Sequence, residues 1–317
     1  MRLPSHEDVL SAHERIAPHI HRTPVLTSTY LNGLAGAELF FKCENFQKGG
    51  AFKTRGACNA VFGLPDGRAE KGVATHSSGN HALSLAYAAA RRGIPCHVVM
   101  PRGAVRAKKE AVLGYGGRVV ECDPSYASRE AALDRVRKET GADLVHPYDD
   151  PRVIAGQATC SRELIDQAGN LDAAIAPIGG GGMVSGTCLA LSGEAPGTTI
   201  YAAEPEQADD AARSLRAGRI IADDAPETVA DGLRAPLKEL TWHFVSRHVA
   251  DILTVSEREI VDATRLVWER MKIVIEPSSA VPVAAILKNT DIFAGRRVGV
   301  ILTGGNVDLG GLPWARR

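Results

Sequence analysis

Short runs of apolar and β-branched residues alternate along this chain with longer stretches in which apolar positions recur every three or four residues. The short runs predict strands at Leu39–Cys43, Val73–Thr75, His97–Met100, Arg118–Cys122, Leu144–His146, Ala173–Ile178, Thr199–Ala203, Ile252–Val255 and Val298–Leu302. Helical patterns fill most of the intervals. The first helix opens at Ser5 and Asp8 in capping-box spacing, and another opens at Ser256 and Glu259, with Ile260, Val267, Met271 and Val274 expected on one face. Strand–helix alternation of this kind predicts an α/β fold with mainly parallel sheets covered by helices. There are more strands than one sheet needs, so two open, twisted sheets are expected.

Composition narrows the class. The chain has 317 residues, enough for two modest domains, and its 37 Lys plus Arg balance 37 Asp plus Glu. Zero net charge gives no general attraction to nucleic acid or acidic membrane, so a small-molecule partner is expected. The six cysteines show no C-x-x-C pair or zinc-finger spacing and read as buried, reduced thiols of a cytoplasmic protein. No apolar run approaches the roughly 18 residues of a membrane span.

Two stretches carry candidate chemistry. In PIGGGGMVSG, Gly179, Gly180, Gly181 and Gly182 separate a strand from an apolar helix. Backbone without side chains, at a helix start with unpaired N–H groups, suits a phosphate. Four glycines in a row are entropically costly for a mere connector. A dinucleotide fold is the rival, since the next strand ends at Glu204, near where a ribose-binding acid falls, about 20 residues beyond a glycine loop. The G-x-G-x-x-G spacing fails, however: from Gly179, Gly180 or Gly181 the sixth position is Val184, Ser185 or Gly186, and in the last case Met183 stands where the second glycine belongs. The other stretch, GGAFKTRGA, sets Lys53 among small and apolar residues where an amine's charged form is disfavoured.

The blocks HRTPVLTS, KCENFQKGGAFKTRGA, HSSGNHA, HPYDDPRVIAGQ, GGGGM, YAAEP, VADG, LVWERMK, EPSSA and TGGNVDL follow one another nearly end to end. In that order they resemble the pyridoxal-phosphate enzymes of the serine/threonine dehydratase and serine racemase group, fold type II and tryptophan synthase β-like. The resemblance implies that Lys53 forms the Schiff base with pyridoxal 5'-phosphate, that Phe52 packs on its ring, and that Asn80 bonds its phenolic oxygen. Gly179 to Gly182 and Met183 would cradle the phosphate, Glu276 would sit nearby, and Thr303 would meet the pyridine nitrogen. Ser77, Ser78, Asn80 and His81 resemble the loop that grips the substrate carboxylate, although Ser and Asn also cap helices. Lys42 and Lys48 are expected to be ordinary surface lysines.

The implied reaction is β-elimination from a 3-hydroxy amino acid such as L-threonine or L-serine, giving a 2-oxo acid and ammonia. Serine racemization is the alternative, with Ser78 matching the serine that handles the second proton. So is dehydration of 3-hydroxyaspartate, whose second carboxylate Arg129 could attract. Ala235 and Ala82 depart from the racemase pattern, where serine and glycine are usual. Glu204, the Ala208 carbonyl and Asp210 match a divalent-cation site for Mg²⁺, Ca²⁺ or Mn²⁺; the competing reading is an acidic helix start. The resemblance also implies a homodimer, a large cofactor-binding domain (1–65 with 149–317) and a small substrate-gripping domain (66–148). Because the chain stops soon after NVDL, isoleucine feedback is not expected and a catabolic role is.

Overall fold

In this computed structural model, residues 2–104, 106–222, 226–312 and 314 are described. They form strands β1 (Val25–Leu26), β2 (Glu38–Cys43), β3 (Val73–His76), β4 (Cys96–Pro101), β5 (Arg118–Cys122), β6 (Asp143–Leu144), β7 (Ala173–Pro177), β8 (Thr199–Pro205), β9 (Val249–Val255) and β10 (Arg297–Leu302). One sheet has the order β1-β2-β10-β7-β8-β9 and the other β5-β4-β3-β6. Only the β1–β2 pairing is antiparallel. Each predicted strand has its counterpart. The two-residue β1 is too short to leave a periodic signal, and β6 ends before His146 because Pro147 cannot donate to the ladder.

Alternation along the strands sorts side chains between two helical layers. In β7, Ala173 and Ile175 join the core beneath helices Glu257–Met271 and Pro277–Lys288. Ala174 and Ala176 join the opposite core with Ile154, Met183 and Val184 from helices Pro151–Ala168 and Gly182–Glu194. The smaller sheet divides likewise: Val73, Val98 and Met100 face one core, Ala74, Val99 and Cys122 the other. All six cysteines are buried and free. Both expected capping boxes form, at Ser5 with Asp8 and at Ser256 with Glu259. The second helix stops at Met271, where Lys272 adopts a left-handed conformation (φ 60°), so Val274 leaves the expected face and is exposed.

Helix Lys53–Phe62 is held from two directions. Its Gly56 meets Gly156 of helix Pro151–Ala168 so closely that a Cβ on Gly156 would stand 2.6 Å from the Gly56 Cα. Beside this crossing lies a fully buried charge cluster. Arg55 donates to both oxygens of Glu44 and of Glu163, each bond 2.8 Å long, while the Lys42 amine donates to Glu163 Oε2 at 2.6 Å, Gln167 Oε1 at 2.8 Å and the Thr23 carbonyl at 2.7 Å. Lys42, expected at the surface, is 0% exposed. It alternates into the interior on β2, where Glu163 compensates its charge. Burial works against the Glu163 anion, but Arg55 and Lys42 overcome it and hold its carboxyl below the ordinary range.

Cutting Glu163 to alanine leaves two buried cations with only Glu44 between them. Glu163→Ala is expected to lower stability by about 3–5 kcal/mol in urea unfolding followed by circular dichroism.

Candidate active site

The loops that leave β2, β3, β6, β7 and β10 converge on one cleft, as parallel sheets gather ligands at their strand ends. After β2 the chain turns through Gly49 (φ 68°) and Gly50 (φ 72°), both left-handed. A Cβ on Gly50 would also stand 2.5 Å from Asn306 Oδ1. Ala51 then bridges Gly304, and the Phe52 N–H donates to the Thr303 carbonyl at 3.0 Å. Lys53 is thereby fixed as the first residue of its helix, against the end of β10. Its Nζ donates to the Pro147 carbonyl at 2.8 Å and lies 4.9 Å from the Phe52 ring centroid. The residue keeps some surface in the cleft, but burial of the amine lowers it to about 8, against a smaller upward pull from the Glu276 carboxylate.

Beyond β7, the glycine strip lies against neighbours that leave no room for side chains. A Cβ on Gly179 would meet Leu233 backbone at 2.7 Å, and one on Gly180 would meet the Tyr148 ring at 2.6 Å. Gly181 is left-handed (φ 83°) and caps helix Gly182–Glu194 with no side-chain bond to the first turn. The N–H groups of that turn have no intrahelical acceptor, which suits an anion. Met183, expected among the cofactor contacts, buries its side chain in the core, so only its backbone can serve. The lysine and the cradle fit pyridoxal 5'-phosphate: one supplies a deprotonatable amine, the other a place for a phosphate.

Between them stands a polar group whose connections the sequence did not foretell. Asn80 Nδ2 donates to both Glu276 oxygens, at 2.9 and 3.2 Å, and Asn80 Oδ1 accepts from Asn306 Nδ2 at 2.9 Å. Glu276 occupies the N-cap of helix Pro277–Lys288, with Pro277 at the first helical position, where its missing N–H costs nothing. Burial raises its carboxyl to about 7, although the Asn80 bond works against the rise. Thr303 is nearly buried, its hydroxyl 3.1 Å from that of Ser279, which bonds both the N–H and the carbonyl of Gly304 at 2.7 Å. Asn306 and Ser279 lie within quoted blocks, TGGNVDL and EPSSA. Their part was invisible because it depends on pairing across more than twenty residues.

The turn after β3 carries Ser77, Ser78, Asn80 and His81. Helix Asn80–Arg92 begins there behind Gly79, with no side-chain cap, so its first N–H groups are not taken up by Ser or Asn. Arg129, on helix Tyr126–Thr140, contributes charge near His76, and its Nε is buried without a hydrogen-bond partner. His76, His146 and Tyr148 also meet here, although nothing in their local sequence marks them. The His146 ring stands edge-on to both, at 5.9 Å from His76 and 4.6 Å from Tyr148.

Glu204, near the end of β8, and Asp210, at the start of the following helix, come together with 0% and 1% of their surfaces exposed, apart from the groups above. Glu204 accepts from the N–H groups of Ala211 (3.1 Å) and Ala212 (2.9 Å), capping helix Asp210–Ala217. So engaged and buried, it cannot reach a ribose at the glycine strip, and the dinucleotide reading fails. Burial, with Asp210 adding repulsion, raises the Glu204 carboxyl to about 9. Among the described residues no group of three or more His, Cys, Asp or Glu is arranged for a metal; the expected set has two acids and the carbonyl of buried Ala208. Hard oxygen donors whose mutual repulsion a cation would relieve fit Mg²⁺, Ca²⁺ or Mn²⁺.

Two mainly parallel sheets flanked by helices are the architecture of the fold type II class of pyridoxal-phosphate enzymes. The chain belongs to the family of pyridoxal-phosphate dependent enzymes, whose model matches residues 16–304. It is 68% identical over 314 residues to a beta-hydroxyaspartate dehydratase of Paracoccus denitrificans, covering 99% of this chain and 100% of that one. A serine racemase of Arabidopsis thaliana is 50% identical over 313 residues, 96% of this chain and 95% of its own. Among solved structures, serine racemase from Dictyostelium discoideum superposes with a TM-score of 0.93 at 47% identity, covering 96% of this chain and 99% of that one. The protein is thus a pyridoxal-phosphate dependent enzyme of the dehydratase and racemase group.

Because the neutral fraction of a lysine grows as pH rises, Lys53 is expected to lose its proton with a midpoint near pH 8 in the apoprotein, read by NMR of ¹⁵N-labelled lysine. Glu276→Gln removes the upward pull and shifts that midpoint lower.

Proposed function

We propose that this chain dehydrates 3-hydroxyaspartate to a 2-oxo acid and ammonia. The observation that carries the reading is the full-length match, at 68% identity, to a beta-hydroxyaspartate dehydratase. The cleft gives it a physical basis, because the buried Arg129 Nε lacks a partner that a second carboxylate would supply. L-serine and L-threonine, placed first by the motifs alone, become the lesser substrates.

When bound, pyridoxal 5'-phosphate supplies an electrophilic carbon that acidifies the α-hydrogen of an attached amino acid. The residues that would hold it are Phe52, Lys53, Asn80, Gly179 to Gly182, the Met183 N–H, Glu276 and Thr303. Lys53, whose amine is lowered to about 8 and so is readily deprotonated, takes the proton from Cα as general base in its neutral form. Thr303 offers a hydroxyl, which can donate a hydrogen bond but cannot hold a ring nitrogen protonated as a carboxylate would. Negative charge at Cα is then better relieved by loss of the β-hydroxyl than by storage. The N–H groups at the start of helix Asn80–Arg92, with Ser77, Ser78 and His81, receive the α-carboxylate. Residues 66–148 act as a small domain that brings this loop to the lysine.

Racemization is the second reading. It is favoured by the 50% identity to a serine racemase and by Ser78, whose hydroxyl could return a proton from the face opposite Lys53. Ala82 and Ala235, where racemases of this group usually carry glycine and serine, count against it.

The test is a panel of 3-hydroxyaspartate isomers, L- and D-serine and L-threonine, with 2-oxo acid and enantiomer ratio both measured. The expected result is a kcat/KM for one 3-hydroxyaspartate isomer at least about tenfold above that for L-serine; parity or an inverted order overturns the reading. Arg129→Met should raise KM for 3-hydroxyaspartate about tenfold or more and leave that for L-serine nearly unchanged. A divalent cation at Glu204, Asp210 and the Ala208 carbonyl is part of the proposal. With Glu204 raised to about 9, Mg²⁺ binding at pH 7.5 is expected to release about one proton, measured by calorimetry in buffers of different ionization enthalpy, and Glu204→Gln should abolish the release.

A further inference from the structure

Two imidazoles, His81 buried and His146 half-buried, line the cleft with their protons fixed by backbone, and the chemistry above gives one of them no task. His146 follows β6. Its Nδ1 accepts the N–H of Asp149 at 2.8 Å and of Tyr148 at 3.3 Å. A nitrogen that accepts hydrogen bonds carries no proton, so a neutral ring must bear its single hydrogen on Nε2. The ring is held neutral: burial first, then Lys238, His76, His81 and Lys53, push it down to about 2. Its Nε2–H is buried and has no hydrogen-bond partner. His81 is fixed in a complementary way. Its Nε2 lies 3.0 Å from the Val145 carbonyl, which can only accept, so its unpartnered Nδ1 is an acceptor.

An unpaired buried donor is a standing cost, and native structures rarely keep one without a use. Here the donor sits in a row of positive or donating groups. Pro147, the next residue, receives the Lys53 amine. His76 stands 5.9 Å away on the other side, within electrostatic reach of Arg129 and Lys238. The hydroxymethyl of serine offers one oxygen, too few to meet both the His146 Nε2–H and the Arg129 Nε–H. A side-chain carboxylate accepts on two oxygens and donates nothing, which suits these two unpaired donors.

We propose that His146 is a specificity-determining residue whose Nε2–H donates to the side-chain carboxylate of a dicarboxylic hydroxy amino acid, beside Arg129. The inference rests on the substrate reading above and assigns a neutral donor to that site. A neutral donor adds a hydrogen bond without adding a further charge among Lys53, Lys238 and Arg129.

The test uses the holoenzyme, with malonate as an unreactive dicarboxylate and acetate as its monocarboxylate control. NMR of ¹⁵N-labelled histidine is expected to show His146 as the Nε2–H tautomer, unshifted between pH 6 and 9 as its depressed value requires, and malonate is expected to move its Nε2–H resonance. By calorimetry, His146→Phe should weaken malonate about tenfold or more and leave acetate unchanged, while His146→Gln, which restores a donor, should stay within about threefold of wild type. A proton on Nδ1, a resonance that malonate leaves in place, or wild-type malonate affinity in His146→Phe overturns the proposal. The NMR arm needs no variant and stands if His146→Phe fails to fold. Turnover is a separate readout: failure to dehydrate 3-hydroxyaspartate with malonate still held by His146 refutes the substrate reading alone, and turnover with none of these malonate effects refutes His146 alone.

Discussion

The site depends on holding one primary amine out of water without letting it drift. Lys53 is the first residue of its helix, and an amine on a four-carbon stem is mobile unless its backbone is fixed. Behind it, Arg55 is clamped by Glu44 and Glu163, and Gly56 is pressed against Gly156. In front, the Thr303 carbonyl holds the Phe52 N–H and the Pro147 carbonyl takes the amine itself. Buried ion clusters seldom add stability over an apolar core of the same volume. This one joins β2, helix Lys53–Phe62 and helix Pro151–Ala168 at a point where register matters, so its contribution lies in positioning.

Around that amine the electrostatics are graded by burial. Lys53 and Glu276 are both drawn toward neutrality, to about 8 and about 7, so each can exchange a proton near physiological pH. His81 and His146 are driven far below that range, to about 3 and about 2, and serve as fixed hydrogen-bonding groups. Glu204 is raised to about 9 by burial and by Asp210, a state that a hard cation would reverse. The cleft therefore contains proton carriers and neutral donors and acceptors, and a separate acidic pair lies outside it, these groups being set apart by degree of desolvation more than by residue type.

Much of this was legible in the residues in order. The strands after β1 followed from apolar runs, the capping boxes from Ser and an acid three residues on, and the tight glycine turn from four glycines between a strand and a helix. Lys53 stood out because its neighbours are small and apolar. Lys42 shows the limit: one lysine in a strand looks like any other until the sheet turns it inward and a helix 121 residues later supplies Glu163. Met183 shows another, since a residue beside a phosphate cradle can contribute its N–H while its side chain belongs to the core.

By itself the sequence determined what is local: period, caps, turns, the glycine strip and a lysine set among small and apolar neighbours. These depend on neighbours within a few positions, where backbone geometry is set. Tertiary structure alone decided which polar groups are buried together, and hence their protonation. Asn80 meets Glu276 across 196 residues and Asn306 across 226. The His146 tautomer follows from two N–H groups turned back by the Pro147 bend. Desolvation depends on everything packed around a group, and no short window of residues contains that information.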